Sequence, residues 1–336
     1  MKNNILKTFF TFAAILSTSV FFAQDYSFKN YDWNEKETKV DIPEKYKNEK
    51  EVILDRTTKI EFVVTGKEAK QYQLLHEKIY INSDDAIERN NKIYIPFSLN
   101  ESVLVNKARV ILKNGTVINL DQKDIKEDVD QEKGMKYSYF AVHGLEKGAV
   151  IEKIYVLEER PEFSGQTIKM QDEYPIVNIN FELIYPNHLV FKTKSYNGLG
   201  EPIIDSKKIE NKTVLSISEK NIPALDNDEQ YSNWVLQLKL FRYKLDENTY
   251  NGSKNLNNFK EFATNLYERL NPELDKKQQK SLEDFCKTIP KSDDLQEQIW
   301  NIENKIKKTI AYDRYIDAKE TLSDIIVTKQ ANQTDI

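Results

Sequence analysis

The chain has 336 residues, a length that corresponds to about two domains. Its 49 basic and 54 acidic side chains give a formal net charge of −5. This balance argues against a dedicated nucleic-acid-binding protein, which needs a basic face to replace the counterions on phosphates. A single Cys excludes an intramolecular disulfide and a Cys-rich zinc site, and three His residues leave little material for a metal cluster. We therefore expect a hydrophobic core to stabilise the fold and predict no cofactor and no metal.

The first 23 residues have the layout of a secretory signal peptide. Lys2 and Lys7 form a basic start, an apolar run follows, and Ala23 precedes a polar stretch. The unbroken apolar run is shorter than the ~20 residues that span a bilayer, so a retained membrane anchor is the less favoured alternative. We expect cleavage after Ala23, export, and no membrane span once the leader is removed.

A β-rich region extends from about residue 50 to residue 243. Apolar residues alternate with others along Ile93–Phe97, which places one side of a strand in a core. Asn114-Gly115 lies between two β-rich runs and predicts a hairpin with a type I′ turn, because both residues tolerate positive φ. A second hairpin is predicted to turn near Asn211. Further predicted strands are Lys59–Val64, Tyr137–Val142, Ala149–Leu157, Ile176–Tyr185, Leu189–Tyr196 and Trp234–Tyr243.

Helical periodicity replaces this pattern after the polar stretch Asp246–Asn258, which reads as a linker. One helix is predicted from Phe259 to Leu270, a second before Pro290, and a third that Ser292 can cap. The apolar stripe predicted for the third helix is Leu295, Ile299, Ile302, Ile306 and Ile310, and a short amphipathic segment follows at Thr321–Thr328. The sequence therefore predicts an α+β protein. An antiparallel β-sandwich-type domain over residues 24–245 precedes a helical segment over residues 246–336.

The β-rich region resembles the domain of unknown function that precedes transglutaminase-like domains in bacterial envelope proteins. The stretches that carry this resemblance are Arg56–Phe62, His76–Ile81, Lys107–Leu120, Phe140–Glu152 and Gln171–Pro175. We interpret these stretches as structural elements of the domain rather than as sets of catalytic residues. The resemblance implies a periplasmic or secreted protein of the bacterial envelope.

The C-terminal helices resemble the opening of a transglutaminase-like core. The matching pieces are the helix that ends at Ile310–Asp313 and the segment Thr321–Ile326. In catalytic members a Cys at a helix N-terminus then follows, and Gln333 stands at that position here. An amide side chain cannot attack an acyl group. The His and Asp of the family's triad would lie beyond Ile336. We therefore expect a segment truncated before the catalytic centre and a chain that is not an enzyme.

Other residues that could carry chemistry have simpler structural interpretations. Cys286 shares an apolar helix face with Leu282 and Ile289, which favours a buried core thiol over a nucleophile. Each His lacks a second His or a paired carboxylate at ligand spacing, so we expect structural roles. These residues are His76, His143 and His188.

The acidic stretch Asp121–Glu132 lacks the ligand spacing of a calcium loop and reads as a solvated loop. The Trp residues could stack on sugar rings, but core or hinge packing is the simpler interpretation. They are Trp33, Trp234 and Trp300.

Three functions fit these observations. The first is an exported non-catalytic module with protein or glycan partners in the envelope, able to self-associate through its C-terminal helices. The second is a fragment of a transglutaminase- or cysteine-peptidase-like enzyme that needs further sequence or a partner chain. The third is a carbohydrate-binding module that uses exposed aromatic residues.

Overall fold

The computed structural model describes residues 26–130, 134–227, 231–313 and 321–332. The predicted signal peptide and Gln333 lie outside these residues. Strands make up 43% of the protein and helices 21%, with the long helices near the C-terminus, so the predicted α+β class is confirmed. No helix in the described ranges is both long and apolar enough to cross a membrane.

The chain divides into two compact units. Of the described residues, the first unit comprises those from Tyr26 to Asp128 together with Lys136–Lys254, and the second comprises Val129–Met135 and those from Asn255 to Asn332. The domain boundary predicted from the sequence, at residues 245/246, stays a prediction.

Strands and two short helices form the β-rich part of the chain. In chain order they are β1 (Glu51–Thr65), β2 (Glu68–Ile81), α1 (Asp84–Asn90), β3 (Lys92–Ser98), β4 (Ser102–Ile111), β5 (Val117–Asn119), β6 (Lys126–Asp130), β7 (Met135–Ala141), β8 (Ala149–Glu159), β9 (Gln166–Lys169), β10 (Ile176–Pro186), β11 (Leu189–Tyr196), β12 (Ile203–Ile209), β13 (Lys212–Ile222), α2 (Trp234–Gln237) and β14 (Leu240–Asn248).

An eight-stranded sheet with the order β12-β13-β10-β1-β2-β8-β4-β5 forms the centre of the first unit. The neighbours β1 and β10 run parallel, whereas the pairs β1–β2, β2–β8, β4–β8 and β10–β13 are antiparallel. The β1–β2 hairpin turns at Gly66, whose φ of +63° suits a residue without a Cβ. Side chains alternate between the two faces of this sheet, and both faces are covered.

Two three-stranded sheets, β11-β14-β9 and β3-β7-β6, pack on one face of the large sheet. The ring of Phe62 stacks on Phe191 at 5.2 Å between centroids, and Phe181 lies 5.4 Å from Phe241. The second small sheet contacts the large sheet through a buried cluster, in which Ile95, Phe97 and Phe140 pack against Ile79 and Ile151. These contacts make a sandwich whose core lies between the large sheet and the two small ones.

An N-terminal segment, Tyr26–Ile42, covers the opposite face of the large sheet. Phe28 is buried in a cluster with Tyr72, Leu74 and other residues of the sheet, and Tyr26 stacks on Tyr72 at 4.4 Å. The segment has no helix or strand of its own, so the sheet beneath it holds it in place.

Two local predictions in the β-rich region are wrong. Only Gly115 of the Asn114-Gly115 pair has positive φ, so the turn is not type I′. Gly115 N–H instead donates to the carbonyl of Leu112, and Leu112 N–H donates to Thr116, as in a three-residue loop with a Gly bulge. Trp234–Gln237 is a helical turn, and the strand predicted to start at Trp234 starts at Leu240.

Helices dominate the second unit: α3 (Phe259–Leu270), α4 (Lys276–Cys286), α5 (Leu295–Thr309) and α6 (Leu322–Thr328). A short parallel pair joins β15 (Ala311–Tyr312) to β16 (Gln330–Ala331). The cap of α5 is Asp294, whose Oδ1 accepts from the Glu297 amide at 2.8 Å, rather than the predicted Ser292. Ser292 instead lies before the cap and accepts from the Asp294 amide.

The apolar stripe of α5 is not buried as the sequence pattern predicted. The side chain of Leu295 is 75% exposed and that of Ile299 is 56% exposed. Phe259 and Phe262 of α3 are exposed as well. Both α3 and α5 are amphipathic, but their apolar faces have little cover.

Candidate functional site

The predicted buried thiol is on the surface, because Cys286 is exposed at the end of α4. The helical pattern could not separate positions 285 and 286, since both lie three or four residues from Leu282 and from Ile289. Phe285 is partly buried and Ile289 is buried, whereas Cys286 faces solvent. The core-thiol prediction is therefore wrong.

The His residues have separate surroundings. His143 lines a small cavity of about 70 Å³, and the ring of His188 lies 6.1 Å from that of Tyr250. His76 is buried in an ionic network. Within the described ranges, no group of three His, Cys, Asp or Glu side chains could hold a metal ion.

The predicted packing of the Trp residues holds for two of the three. Trp33 is buried, and the Nε1–H of Trp234 donates to the carbonyl of Leu225 at 3.0 Å. Trp300, in contrast, is 61% exposed on α5, so the packing interpretation is wrong there.

The His76 network lies between the large sheet and the N-terminal segment. His76 Nε2 is 2.8 Å from Glu152 Oε1, and Nδ1 is 2.8 Å from the hydroxyl of Tyr31. Glu152 Oε2 accepts from Arg109 Nε at 2.7 Å and contacts Nη2 at 2.6 Å. An ionised carboxylate only accepts hydrogen bonds, so Nε2 of His76 carries the hydrogen of the first contact.

Sheet register brings these residues together. Glu152 of β8 lies directly opposite Lys78 of β2 on one side and Arg109 of β4 on the other. His76 is two residues from Lys78 along β2, and therefore on the same face. Tyr31 comes from the N-terminal segment, and Arg109 Nη2 also donates to the backbone carbonyl of Asn34 at 3.1 Å.

Neighbouring cations keep the Glu152 carboxyl of this network ionised. Burial alone raises the pKa of the Glu152 carboxyl, but hydrogen bonding to His76 and the charges of Lys78 and Arg109 outweigh it and lower the pKa. Burial, with a further contribution from Asp55, raises the pKa of Tyr31 to about 12. A chain of Tyr, His and Glu could suggest an activated nucleophile, but a raised phenol pKa disfavours the anion that would attack. The network instead holds the N-terminal segment on the sheet.

A second ionic network occupies the sandwich face of the same sheet. Glu77 accepts from Arg56 Nε at 2.5 Å and from Lys153 at 2.8 Å, and Arg56 Nη2 is 2.9 Å from Asp172. Burial alone raises the pKa of the Glu77 carboxyl, yet the charges of Lys153 and Arg56 lower it to about 2. Glu77 is therefore ionised at any physiological pH and has its charge neutralised by two cations.

Sequence reasoning missed both networks. Arg109 and Glu152 each interrupt a β-rich apolar run, and that interruption is the signal that could have revealed them. Their partners could not be identified in the same way, because pairing requires the order of β2, β8 and β4 in the sheet.

Residues 68–226 match the family DUF3857, described as a domain of unknown function with a solved structure. No curated protein matches the chain. A crystal structure from Parabacteroides distasonis ATCC 8503, named a "putative protease", has a similar fold. The TM-score is 0.62 with 13% identity, over 85% of this chain and 56% of the other. The chain thus spans little more than half the length of that protein.

Two zinc metallopeptidase structures give much weaker matches. An M1 zinc metallopeptidase from Deinococcus radiodurans has a TM-score of 0.33 at 8% identity, over 58% of this chain and 42% of its own. A two-domain M1 zinc metallopeptidase has a TM-score of 0.32 at 8% identity, over 58% and 43%.

Proposed function

We propose that this chain is a non-catalytic interaction module of the bacterial envelope, exported and periplasmic or secreted, which accompanies a transglutaminase-like segment. The β-rich unit supplies a rigid framework. The helical unit supplies amphipathic surfaces for a partner or a second copy of the chain.

The distribution of His residues is the observation that carries this proposal. The three His residues of the sequence are His76, His143 and His188, and all of them belong to the first unit. The second unit contains Cys286, and residues 255–336 of the sequence include no His that could act as the base of a thiol nucleophile. In the first unit, the buried Glu77 and Glu152 are held in ion pairs that stabilise the fold.

A second candidate function is that the chain forms part of a longer transglutaminase- or cysteine-peptidase-like enzyme. The fold similarity to the "putative protease" favours it, because this chain spans only 56% of that protein. In that case the β-rich unit still serves as framework, and the catalytic groups come from additional sequence or a partner chain.

Amine-incorporation and peptide-cleavage assays with the purified chain test the proposal. We expect no turnover above buffer, and no difference between wild type and Cys286→Ser. Because Cys286 is exposed, the substitution leaves the core unchanged and isolates the thiol chemistry. Turnover that is present in wild type and lost in Cys286→Ser would contradict a non-catalytic role.

A further inference from the structure

The outer face of the small sheet β11-β14-β9 is strongly basic. On the inner face, Phe191 and Phe241 pack against the large sheet. Because side chains alternate along a strand, the outer face presents Lys192 and Lys194 of β11 together with Arg242 and Lys244 of β14. Four cations thus share a surface only two strands wide.

The strand register places like charges directly opposite each other. Lys192 pairs with Lys244 across the two strands, and Lys194 pairs with Arg242. Directly opposed like charges destabilise a sheet. Lysines on an edge strand can serve to prevent aggregation, but Arg242 and Lys244 lie on the central strand, where that explanation does not apply.

One carboxylate compensates part of this charge. Asp246 Oδ1 lies 2.8 Å from Lys192 Nζ and 3.9 Å from Lys244 Nζ. Lys194 and Arg242 instead contact the ring of Tyr196, at 5.1 Å and 5.3 Å from its centroid. Among the described residues, no carboxylate lies within ion-pair distance of Lys194 or Arg242. Their charges are thus available to an external anion.

A cavity of about 370 Å³ opens over these side chains. Its lining combines the four cations with Tyr196 and the stretch Ser164–Thr167, and it includes no Asp or Glu. The volume lies within the ~300–1,000 Å³ that is usual for ligand sites. The concave surface therefore combines room for a ligand with a uniform positive charge.

We propose that this face binds an extended acidic peptide segment with Asp or Glu at alternate positions. Residues two apart on a strand are separated by about 7 Å, so Lys192 and Lys194 repeat at the spacing of alternate side chains in an extended peptide. Within the described part of the chain, β11 is an edge strand of its sheet. A peptide strand that pairs with this edge places alternate side chains on the same outer face. Its carboxylates can then approach Lys194 and, in competition with Asp246, Lys192.

This inference deepens the proposed function, since it gives the interaction module a partner class and a surface. Acidic glycans also carry regularly spaced carboxylates, but they cannot form the ladder of backbone hydrogen bonds that a strand edge offers. The alternating period and the edge strand together favour a peptide.

Fluorescence polarisation with two labelled peptides tests the proposal on the full chain. One probe is Thr-Glu-Thr-Glu-Thr-Glu-Thr, and the other has the same composition with its three Glu in a block. We expect the alternating peptide to bind about tenfold more tightly, which corresponds to about 1.4 kcal/mol. Equal binding of the two peptides, or no binding of either, would overturn the proposal.

Variants assign the binding to the basic face. We expect Lys194→Gln/Arg242→Gln to weaken binding of the alternating peptide at least about tenfold. The control Lys67→Gln/Lys207→Gln removes the same charge from exposed positions outside the cavity and should leave binding unchanged. Undiminished binding in the first variant, or an equal loss in the control, would refute the assignment.

Two further measurements complete the test. Relief of the opposed charges predicts that Lys194→Gln/Arg242→Gln unfolds at the same or a higher temperature than wild type, so lost binding cannot be attributed to misfolding. Polygalacturonate serves as the glycan probe, and tighter binding of this polymer than of the alternating peptide would replace the peptide with an acidic glycan. A negative result in any of these binding experiments would not change the result expected in the turnover assay, which tests the proposed function separately.

Discussion

The two units differ in which side chains they bury and which they expose. The first unit buries charge, since Arg109 is 1% exposed and Glu152 is fully buried, and each is paired. The second unit exposes hydrophobic side chains, among them Phe259 and Leu295. Contacts between residues far apart in sequence therefore make up most of the stabilising interactions in the first unit. In the second unit most of them are contacts within single helices.

Helix capping shows that residues close in sequence make many of the interactions in the second unit. Asp275 and Gln278 form a capping box at the start of α4, and Thr321 caps α6 through the Asp324 amide. Such caps need only residues close in sequence. Tertiary contacts are fewer, such as the 3.3 Å hydrogen bond between Ser281 and Ser323. Asn258 caps α3 and Asp294 caps α5, but the apolar faces of these two helices are exposed, so they gain little of the packing energy that normally stabilises helices in proteins.

Breaking the buried Arg109–Glu152 pair should have the largest effect. Arg109→Met leaves the Glu152 carboxylate in a buried position with only His76 and Lys78 as partners. We expect the free energy of unfolding to fall by about 3 kcal/mol or more. Urea unfolding followed by tryptophan fluorescence measures it, since Trp33 lies 4.9 Å from the Arg109 guanidinium.

An exposed ion pair provides the matched control. Lys47 pairs with Glu44 on the surface, and Lys47→Ala should leave the free energy of unfolding nearly unchanged, because solvent screens an exposed pair. The double variant Arg109→Met/Glu152→Met should recover part of the loss, because it removes the unpaired charge. A single Arg109→Met variant as stable as wild type would show that the network does not stabilise the first unit.

Acid should destabilise the first unit through Glu77. Its pKa is about 2 in the folded protein against an ordinary value of 4.5, so the ionised form stabilises the fold. This stabilisation is complete above about pH 4.5 and is lost as the pH falls toward about 2, with a maximum of roughly 3 kcal/mol. Unfolding measured between pH 6 and pH 2 should show a shallower acid loss in Glu77→Gln. Identical pH profiles for the two proteins would contradict the role of Glu77.

Substitutions on the exposed stripe of α5 should have the smallest effect on stability. Ile299→Ser changes a side chain that is more than half exposed, so we expect less than about 0.5 kcal/mol in the free energy of unfolding. Light scattering should show a lower apparent mass for this variant if the α5 stripe mediates self-association. A loss of several kcal/mol would mean that the stripe is buried in solution, and the contrast between the two units would then fail.

Much of the local structure could be predicted because it depends on neighbouring residues. The strand Leu189–Tyr196 and the helix Phe259–Leu270 have the predicted bounds. Alternation with period two, and apolar residues three and four apart, are sufficient signals for such elements. The turn at Gly115 differed from its prediction, because loop length and strand register also select the turn type.

The candidate sites could not be predicted to the same degree. The basic face needs the pairing of β11 with β14, and the His76 network needs Tyr31 to reach His76, which is 45 positions away in sequence. Neither arrangement can be recognised from the local periodicity of the sequence. The exposure of Cys286 likewise depended on which of two adjacent positions faced the packing surface.

The sequence by itself determined the α+β class, the division into a β-rich and a helical region, and most element positions, because these depend on periodicity and caps that neighbouring residues create. Tertiary structure alone decided which charges meet. Glu77 and Glu152 are both acidic residues in β-strands, and only the register of β1, β2, β8 and β4 gives each its cations on opposite faces of one sheet. Register acts over the whole sheet, and no short stretch of sequence encodes it.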